Sequence, residues 1–135
     1  SLQKLEIKDL NLQPGTKIEI EGVIPPAPRH FVINCAQDHD TIGFHFNPRF
    51  NRFRDKNIIV CNFKKDDGWG NEQKDTNFPF KPGTQTKVCI DFEKTAFHVT
   101  LPNGCEIQFP NHLNLDTINL LEVKADFELR SLAFK

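Results

Sequence analysis

Short segments that alternate apolar and polar residues, separated by turn residues, run through the whole chain. In Leu5-Glu6-Ile7 and in Ile18-Glu19-Ile20-Glu21 the apolar side chains recur at every second position, which is the period of a strand with one buried face. Gln13-Pro14-Gly15 predicts a turn between these two segments. A helical period never persists, and only residues 111–119 suggest a short helical or irregular turn. The pattern therefore predicts an all-β protein.

The remaining predicted strands have the same short length. They cover residues 31–35, 41–47, 57–63, 87–92, 96–101, 105–109, 120–124 and 127–134. Ten or so such strands, without helices to cross between parallel neighbours, favour an antiparallel β-sandwich or barrel. Pro48 lacks an N–H, so we expect it to end one ladder and to lead into a cationic loop over residues 49–56. At 135 residues the chain is expected to form a single domain, residues 1–135.

Charge and cysteine content restrict the partners and the compartment. The formal net charge is −1, with acids and bases interspersed, so electrostatics give no reason to expect nucleic acid or an anionic membrane as partner. The cysteines are widely spaced, and a domain of this size does not need disulfides, so we expect reduced thiols. They are Cys35, Cys61, Cys89 and Cys105. No segment resembles a signal peptide or a transmembrane span, and a cytoplasmic protein is expected.

An unusual set of polar residues lies near the middle of the chain. His45 and Asn47 share one face of a predicted strand, and Phe44 and Phe46 share the other. An ordinary solvated face is rich in Lys, Glu and Thr, whereas His, Asn and Arg side chains match the hydrogen bonds of hydroxyl groups. A sugar also presents a patch of C–H groups that a flat ring covers. The rest of this polar set is Arg49, Asn62, Trp69, Glu72 and Lys74, and together it favours a carbohydrate site over a merely solvated sheet face.

Metal binding and thiol chemistry are poorly supported by the sequence. The five histidines form no pair at i, i+2 or i, i+4 and have no cysteine cluster beside them, so neither a metal nor another cofactor is expected. Cys61 lies on the apolar face of its predicted strand and His45 on the polar face of its own. A Cys–His nucleophile is therefore not expected.

Hydrolysis of a glycosidic bond is the remaining enzymatic alternative. Glu72 with Asp55 or Asp75 would be the carboxylate pair, and such a pair needs one member that stays protonated. Lys74 and Arg49 are predicted near Glu72, and neighbouring cations favour the ionised form of a carboxylate. We therefore expect Glu72 to accept hydrogen bonds in a binding site, without catalysis.

Three motifs resemble the carbohydrate-recognition signature of the galectin family, in the same order and near the same spacing. They are His45-Phe46-Asn47-Pro48-Arg49, Val60-x-Asn62 and Trp69-x-x-Glu72. The similarity covers the whole chain and is strongest to prototype, single-domain galectins. It implies a jelly-roll sandwich of two antiparallel sheets that binds β-galactosides, such as lactose or N-acetyllactosamine, without metal or catalysis. It also implies action outside the cell by a non-classical route.

The resemblance implies a role for each site residue. His45, Asn47 and Arg49 would bond the axial 4-hydroxyl of galactose, while Trp69 would stack on the ring. Asn62 and Glu72 would hold the 6-hydroxyl, and Arg49, Glu72 and Lys74 would reach a second sugar. The expected carbohydrate-binding residues are thus His45, Asn47, Arg49, Val60, Asn62, Trp69, Glu72 and Lys74, and the expected extended subsite is His30, Arg52, Phe53 and Arg54.

Two positions depart from the family pattern. Lys74 replaces a usual arginine and lacks its planar fork, so weaker contact with the second sugar is expected. Phe53 replaces a histidine of the prototype members and lies between Arg52 and Arg54. This basic loop fits either a preference for acidic glycans or an exposed surface without such a role. The same two departures motivate the alternative of a galectin-fold interaction or structural module with weakened sugar binding.

The terminal strands predict the oligomeric state. Prototype galectins commonly dimerise through such strands, here residues 4–9 and 127–134. Leu5, Ile7 and Leu132 offer an apolar contact, whereas like charges of Glu6 meeting across a two-fold axis oppose it. We expect a homodimer that cross-links glycans and glycoproteins through avidity.

Overall fold

The computed structural model describes residues 2–66 and 68–135, and this part of the chain folds into strands and turns without a helix. The prediction of an all-β protein is confirmed. Among the described residues, no helix is long and apolar enough to cross a membrane. The strands are β1 (Gln3–Ile7), β2 (Lys17–Val23), β3 (Phe31–Asp38), β4 (Thr41–Arg52), β5 (Asp55–Lys65), β6 (Gly68–Trp69), β7 (Gln73–Asp75), β8 (Gln85–Phe92), β9 (Ala96–Thr100), β10 (Glu106–Pro110), β11 (Leu120–Ala125) and β12 (Glu128–Phe134).

The strands form two sheets. The larger sheet has seven strands in the order β1-β11-β3-β4-β5-β6, with β7 also paired to β5, and the smaller sheet has five in the order β10-β9-β8-β2-β12. Neighbouring strands are antiparallel throughout both sheets. The predicted antiparallel β-sandwich is therefore confirmed.

Phenylalanine side chains fill the space between the two sheets. Phe44 of the larger sheet stacks on Phe97 of the smaller one, with ring centroids 5.1 Å apart. Because every second residue of a strand points inward, the longer strands contribute apolar side chains to this core and leave the alternate positions to the outer face. The fully buried phenylalanines are Phe31, Phe44, Phe46, Phe92, Phe97, Phe109 and Phe127.

Pro48 lies within β4, so the expectation that it ends the ladder is wrong. The ladder between β3 and β4 stops at the pair Ile33 and Phe46, whereas the ladder between β4 and β5 continues through Pro48 and Ile59. A proline is tolerated in a strand where its nitrogen faces no partner strand. The strand therefore extends to Arg52 and carries Arg49 on the sheet.

The predicted loop over residues 49–56 is likewise wrong, because a tight hairpin turn replaces it. Arg52 pairs with Asp55, which leaves Phe53 and Arg54 as the turn, with φ values of 51° and 71°. Two consecutive residues at positive φ are the mark of a type I′ turn, where Asn-Gly is the favoured sequence. The guanidinium carbons of Arg49 and Arg52 lie 5.2 Å and 4.4 Å from the centre of the Phe53 ring.

Residues 111–119 form an irregular turn rather than a helix. The Asn111 side chain donates to the carbonyls of Lys94 and Leu115 and accepts from the Leu115 N–H. Such side-chain bonds satisfy backbone groups that a helix would pair internally.

Replacing the turn residues with Asn-Gly (Phe53→Asn with Arg54→Gly) should raise the free energy of unfolding by about 1 kcal/mol. Phe and Arg at positive φ each cost about 1 kcal/mol or more, whereas Asn and Gly adopt this conformation readily, and the lost cation–π contacts offset about 1 kcal/mol of the gain. Urea denaturation measures the change. Phe53→Ala is the control, since it loses the same ring contacts without relieving the backbone, and it should be destabilised. An Asn-Gly protein no more stable than the wild type would contradict this account of the turn.

Candidate carbohydrate-binding site

A cleft of about 550 Å³ lies on the outer face of the larger sheet, within the usual range for small-molecule sites. Strands β3, β4 and β5 provide its floor and the segment from β6 towards β7 provides one wall. It is lined by His30, Val32, His45, Asn47, Arg49, Arg52, Phe53, Val60, Asn62, Trp69, Gly70 and Glu72.

Most of the residues expected at the site meet in this cleft. Among the expected carbohydrate-binding residues only Lys74 is not in the lining, and among those of the expected extended subsite only Arg54 is not. Lys74 instead donates a hydrogen bond to Asp55. The Arg54 side chain is exposed on the hairpin turn, away from the cleft lining.

Asn47 is buried, with most of its hydrogen-bonding capacity used within the protein. Its Nδ2 donates to the Phe31 carbonyl at 2.8 Å and lies 3.0 Å from His30 Nδ1. Its Oδ1 accepts from Arg49 Nε at 2.9 Å. An amide oxygen has two lone pairs, so Asn47 has one acceptor position left for a ligand.

The His45 ring is held between Asn34 and Trp69. Its Nδ1 lies 2.7 Å from Asn34 Oδ1, and the ring meets Trp69 edge-on with centroids 4.7 Å apart. Burial, together with the positive charge of Arg49, lowers the pKa of His45 from its usual range to about 3. The imidazole is therefore neutral at physiological pH, and its Nε2 remains for a ligand.

A group of two cations and two carboxylates fixes the far end of the cleft. Arg49 Nη1 donates to Asp55 Oδ2 at 2.7 Å, and Arg49 Nη2 lies 3.6 Å from Glu72 Oε2. Lys74 Nζ donates to Asp55 Oδ1 at 3.1 Å and lies 3.9 Å from Glu72. Burial opposes ionisation of Asp55, but the hydrogen bonds from Arg49 and Lys74 prevail and its pKa is lowered. The charge of Lys74 thus acts mainly on Asp55.

Asp55 and Asn34 are site-supporting residues that sequence reasoning missed. The sequence indicates Asp55 only as a member of a glycosidase pair, because its contact with Arg49 depends on a hairpin turn where a loop was expected. Alternation along β3 puts Val32 and Asn34 on one face, so the sequence could have indicated that these two residues lie on the outer face of the sheet. Their contact with the cleft, however, required the strand order.

Trp69 stands at the wall with about half of its surface exposed (49%). Behind it, Gly70 packs so closely that an added β-carbon would lie 2.2 Å from the Phe63 ring. The Gly70 carbonyl accepts from Asn62 Nδ2 at 3.0 Å, and Asn62 Oδ1 accepts from the Phe63 N–H at 2.8 Å. Asn62 therefore keeps one N–H and one lone pair free, next to an exposed indole face.

His30 and Arg52 meet where the cleft reaches the hairpin turn. Arg52 Nη1 lies 2.6 Å from His30 Nε2, while Asn47 Nδ2 faces Nδ1 of the same ring. A neutral imidazole accepts at only one nitrogen, so one of these two donors lacks a true acceptor. Burial and the nearby Arg52 lower the pKa of His30 to about 4. The exposed ring of Phe53 borders this cationic end.

Among the residues that the structure describes, no cysteine lines the cleft. Cys61 belongs to the core between the sheets, on the other side of the sheet from the cleft that His45 lines, and burial raises its pKa to about 12. Among the described residues, the group of His and carboxylate side chains close enough to share an ion is Glu6, His39 and Glu122. It lies outside the cleft lining, towards the edge strand β1.

A two-sheet sandwich with an open, hydrogen-bonding cleft beside an exposed indole ring is typical of a carbohydrate-binding protein, a lectin. The family described as galactoside-binding lectin matches residues 4–134. Galectin-1 of Mus musculus is 41% identical over 131 residues, 97% of each chain.

Solved structures agree with this match. CG-16, a homodimeric agglutinin from chicken liver, superposes with a TM-score of 0.95 at 36% identity and covers 98% of this chain and 100% of its own. A toad ovary galectin in complex with thio-digalactose has a TM-score of 0.94 at 33% identity, with 98% of each chain covered. The chain belongs to the galactoside-binding lectin family, the galectins.

The free energy of unfolding should fall as the pH is lowered from 7 to 5, with about 2 kcal/mol of the fall due to His45. An unfolded histidine has a pKa of about 6.5, and that of folded His45 is about 3. Between these values the unfolded chain binds more protons, so acid favours unfolding.

Urea denaturation at pH 7, 6 and 5 measures this slope. His45→Gln should have a shallower pH dependence than the wild type and than His112→Gln, which removes an exposed imidazole as the matched control. An unchanged slope in the His45 variant would show that His45 is not held neutral by the fold.

Proposed function

We propose that this chain is a lectin that binds terminal β-galactosides non-covalently and without a metal ion. The single observation that carries the proposal is the array of His45, Asn47 and Arg49 along β4, which faces Trp69 across the cleft. Membership of the galactoside-binding lectin family supports it, as does the toad ovary galectin that binds thio-digalactose.

The free hydrogen-bonding positions of the array suit one hydroxyl. His45 Nε2 and one lone pair of Asn47 Oδ1 can accept, and the Nη2 group of Arg49 can donate. The axial 4-hydroxyl of galactose has one hydrogen to donate and two lone pairs to accept with, so it can donate to His45 Nε2 and accept from Arg49, whereas the equatorial hydroxyl of glucose points elsewhere. Selectivity then follows because a glucoside leaves buried polar groups without partners, which binding penalises strongly.

The other cleft residues fit the rest of a disaccharide. The exposed face of Trp69 covers the C–H patch of the galactose ring, and the remaining N–H and lone pair of Asn62, with Glu72, receive the 6-hydroxyl. Glu72 and Arg49 reach the second sugar. Since Lys74 is held by Asp55, its contribution is to keep the carboxylates in place, and we infer that it contacts the second sugar weakly.

Binding without catalysis is part of the same proposal. Glu72 lies 3.6 Å from Arg49 and 3.9 Å from Lys74, and the Asp55 carboxylate is bonded by both cations. A glycosidase needs one carboxyl group that stays protonated as the acid, whereas the hydrogen bonds from Arg49 and Lys74 hold the pKa of Asp55 below its usual range. Turnover of an aryl β-galactoside would contradict this part.

Titration calorimetry with lactose and cellobiose tests the function, because these sugars differ only at C4 of the non-reducing ring. Heat with lactose at millimolar concentration and none with cellobiose is expected. Trp69→Ala should abolish lactose binding and change the free energy of unfolding by less than about 1 kcal/mol, since the ring is half exposed. A loss of about 3 kcal/mol or more would mean that Trp69 packs as a core residue instead. No heat with lactose, in a protein shown to be folded, would refute the galactoside proposal.

We also propose a homodimer, formed through the free edges of β1 and β12. These strands end the larger and the smaller sheet and lie side by side, with the Leu129 N–H donating to Gln3 Oε1 at 3.2 Å. Exposed Leu2 and Phe134 flank this edge. Homodimeric CG-16 supports the proposal.

Sedimentation velocity at tens of micromolar should give the mass of a dimer. Leu2→Arg combined with Phe134→Arg should reduce the measured mass to that of a monomer. The lactose affinity of each site should be retained, because the cleft lies on other strands. Agglutination of galactoside-coated beads should be lost in parallel. A wild-type monomer would refute dimerisation and leave the binding proposal intact.

A further inference from the structure

A row of polar side chains crosses the outer face of the larger sheet and ends in the cleft. Glu6 lies opposite Glu122, Glu122 opposite Asn34, and Asn34 opposite His45. His45 in turn lies opposite Asn62. Side chains directly opposite each other on neighbouring strands share one face. The row therefore connects the edge strand β1 with the galactoside cleft.

The Glu122 carboxylate is buried within this row, with 3% of its side chain exposed. Its Oε1 accepts from Asn34 Nδ2 at 3.0 Å. Its Oε2 lies 3.3 Å from Lys124 Nζ and 3.9 Å from His39 Nε2. A carboxylate in an ion pair accepts hydrogen bonds and cannot donate them. It therefore admits only one orientation of the Asn34 amide, with the nitrogen towards Glu122.

This orientation determines which nitrogen of His45 carries the hydrogen. Asn34 Oδ1 points at His45 Nδ1 across 2.7 Å, and an amide oxygen cannot donate. Nδ1 must therefore be the N–H, which leaves the lone pair of the neutral ring on Nε2. Nε2 has no hydrogen-bond partner within residues 2–66 and 68–135, and the ring lines the cleft.

We propose that Glu122 is a positioning residue that acts through Asn34 to hold His45 as the Nδ1–H tautomer, so that Nε2 accepts a hydrogen bond from the sugar. The inference rests on the proposed function, since it identifies the donor as a hydroxyl of the galactoside. With the hydrogen on Nε2 instead, His45 and Arg49 would both present donors to that hydroxyl. The hydroxyl's own hydrogen would then lose its acceptor on His45 and could turn only to Asn47 Oδ1, which already accepts from Arg49 Nε.

Glu122→Gln tests the proposal with little change in side-chain volume. A glutamine can turn its amide nitrogen towards Asn34, which lets the Asn34 amide flip, donate to His45 Nδ1 and move the ring hydrogen to Nε2. The ¹⁵N spectrum of the imidazole in the sugar-free protein should show Nδ1–H in the wild type and a substantial Nε2–H population in the variant. Lactose affinity should fall about 3- to 10-fold, the equivalent of one mispaired hydrogen bond.

Glu128→Gln is the matched control. Glu128 is exposed and pairs with Arg130, so this variant makes the same charge change away from the cleft. It should keep both the wild-type ring spectrum and the wild-type lactose affinity. Asn34→Ala is a second test variant, because it removes the link itself and should also release the tautomer if Glu122→Gln does not fold.

The spectrum separates this inference from the proposed function. A wild-type His45 protonated at Nε2, or test variants with an unchanged ring spectrum, would overturn the positioning role. So would a Glu122→Gln protein with a shifted tautomer and unchanged lactose affinity. If the wild type bound no lactose, the proposed function would fail, and the sugar-free ring spectrum would still decide whether Glu122 sets the tautomer.

Discussion

The buried ion pair between Arg49 and Asp55 supports the whole far end of the cleft. Both side chains are about nine-tenths buried, and their atoms meet at 2.7 Å. Removing one partner of such a pair costs about 3 to 5 kcal/mol, because the other charge is then left uncompensated. Arg49 is thereby fixed where its Nε bonds Asn47 and its Nη2 faces Glu72. The pair exists only because a tight hairpin turn returns the chain from β4 to β5 directly after Arg52.

The cleft is largely preorganised by bonds within the protein. Asn47 and Asn62 each spend part of their capacity on neighbouring groups, and the free positions that remain are directed outward. His45 is neutral and is bonded through Nδ1 to Asn34. The conformational entropy of these side chains is therefore lost mostly on folding, so little of it opposes binding. A ligand that matches the remaining donors and acceptors is favoured, and one that leaves them unmatched is penalised.

Local patterns in the sequence predicted the β-sandwich and the central polar residues of the cleft, and the resemblance to the galectins added most of the remaining lining. Period-two alternation placed His45 and Asn47 on one face of their strand and Val60 and Asn62 on one face of theirs. The face on which a side chain lies depends only on its position along its own strand. Pro48 misled the prediction, because its effect on a ladder depends on whether a neighbouring strand is present on that side. The resulting loop prediction hid the contact between Asp55 and Arg49.

What the sequence by itself determined is the two-faced character of each strand and the chemical types gathered on the polar faces, because both follow from residue order alone. Only the tertiary structure decided which strands are neighbours. Strand order brought Glu122 of β11 beside Asn34 of β3 and His45 of β4, although Glu122 lies 88 positions from Asn34 in the chain. It also brought Lys74 of β7 beside Asp55 of β5. Such contacts depend on long-range pairing, which local periodicity does not encode.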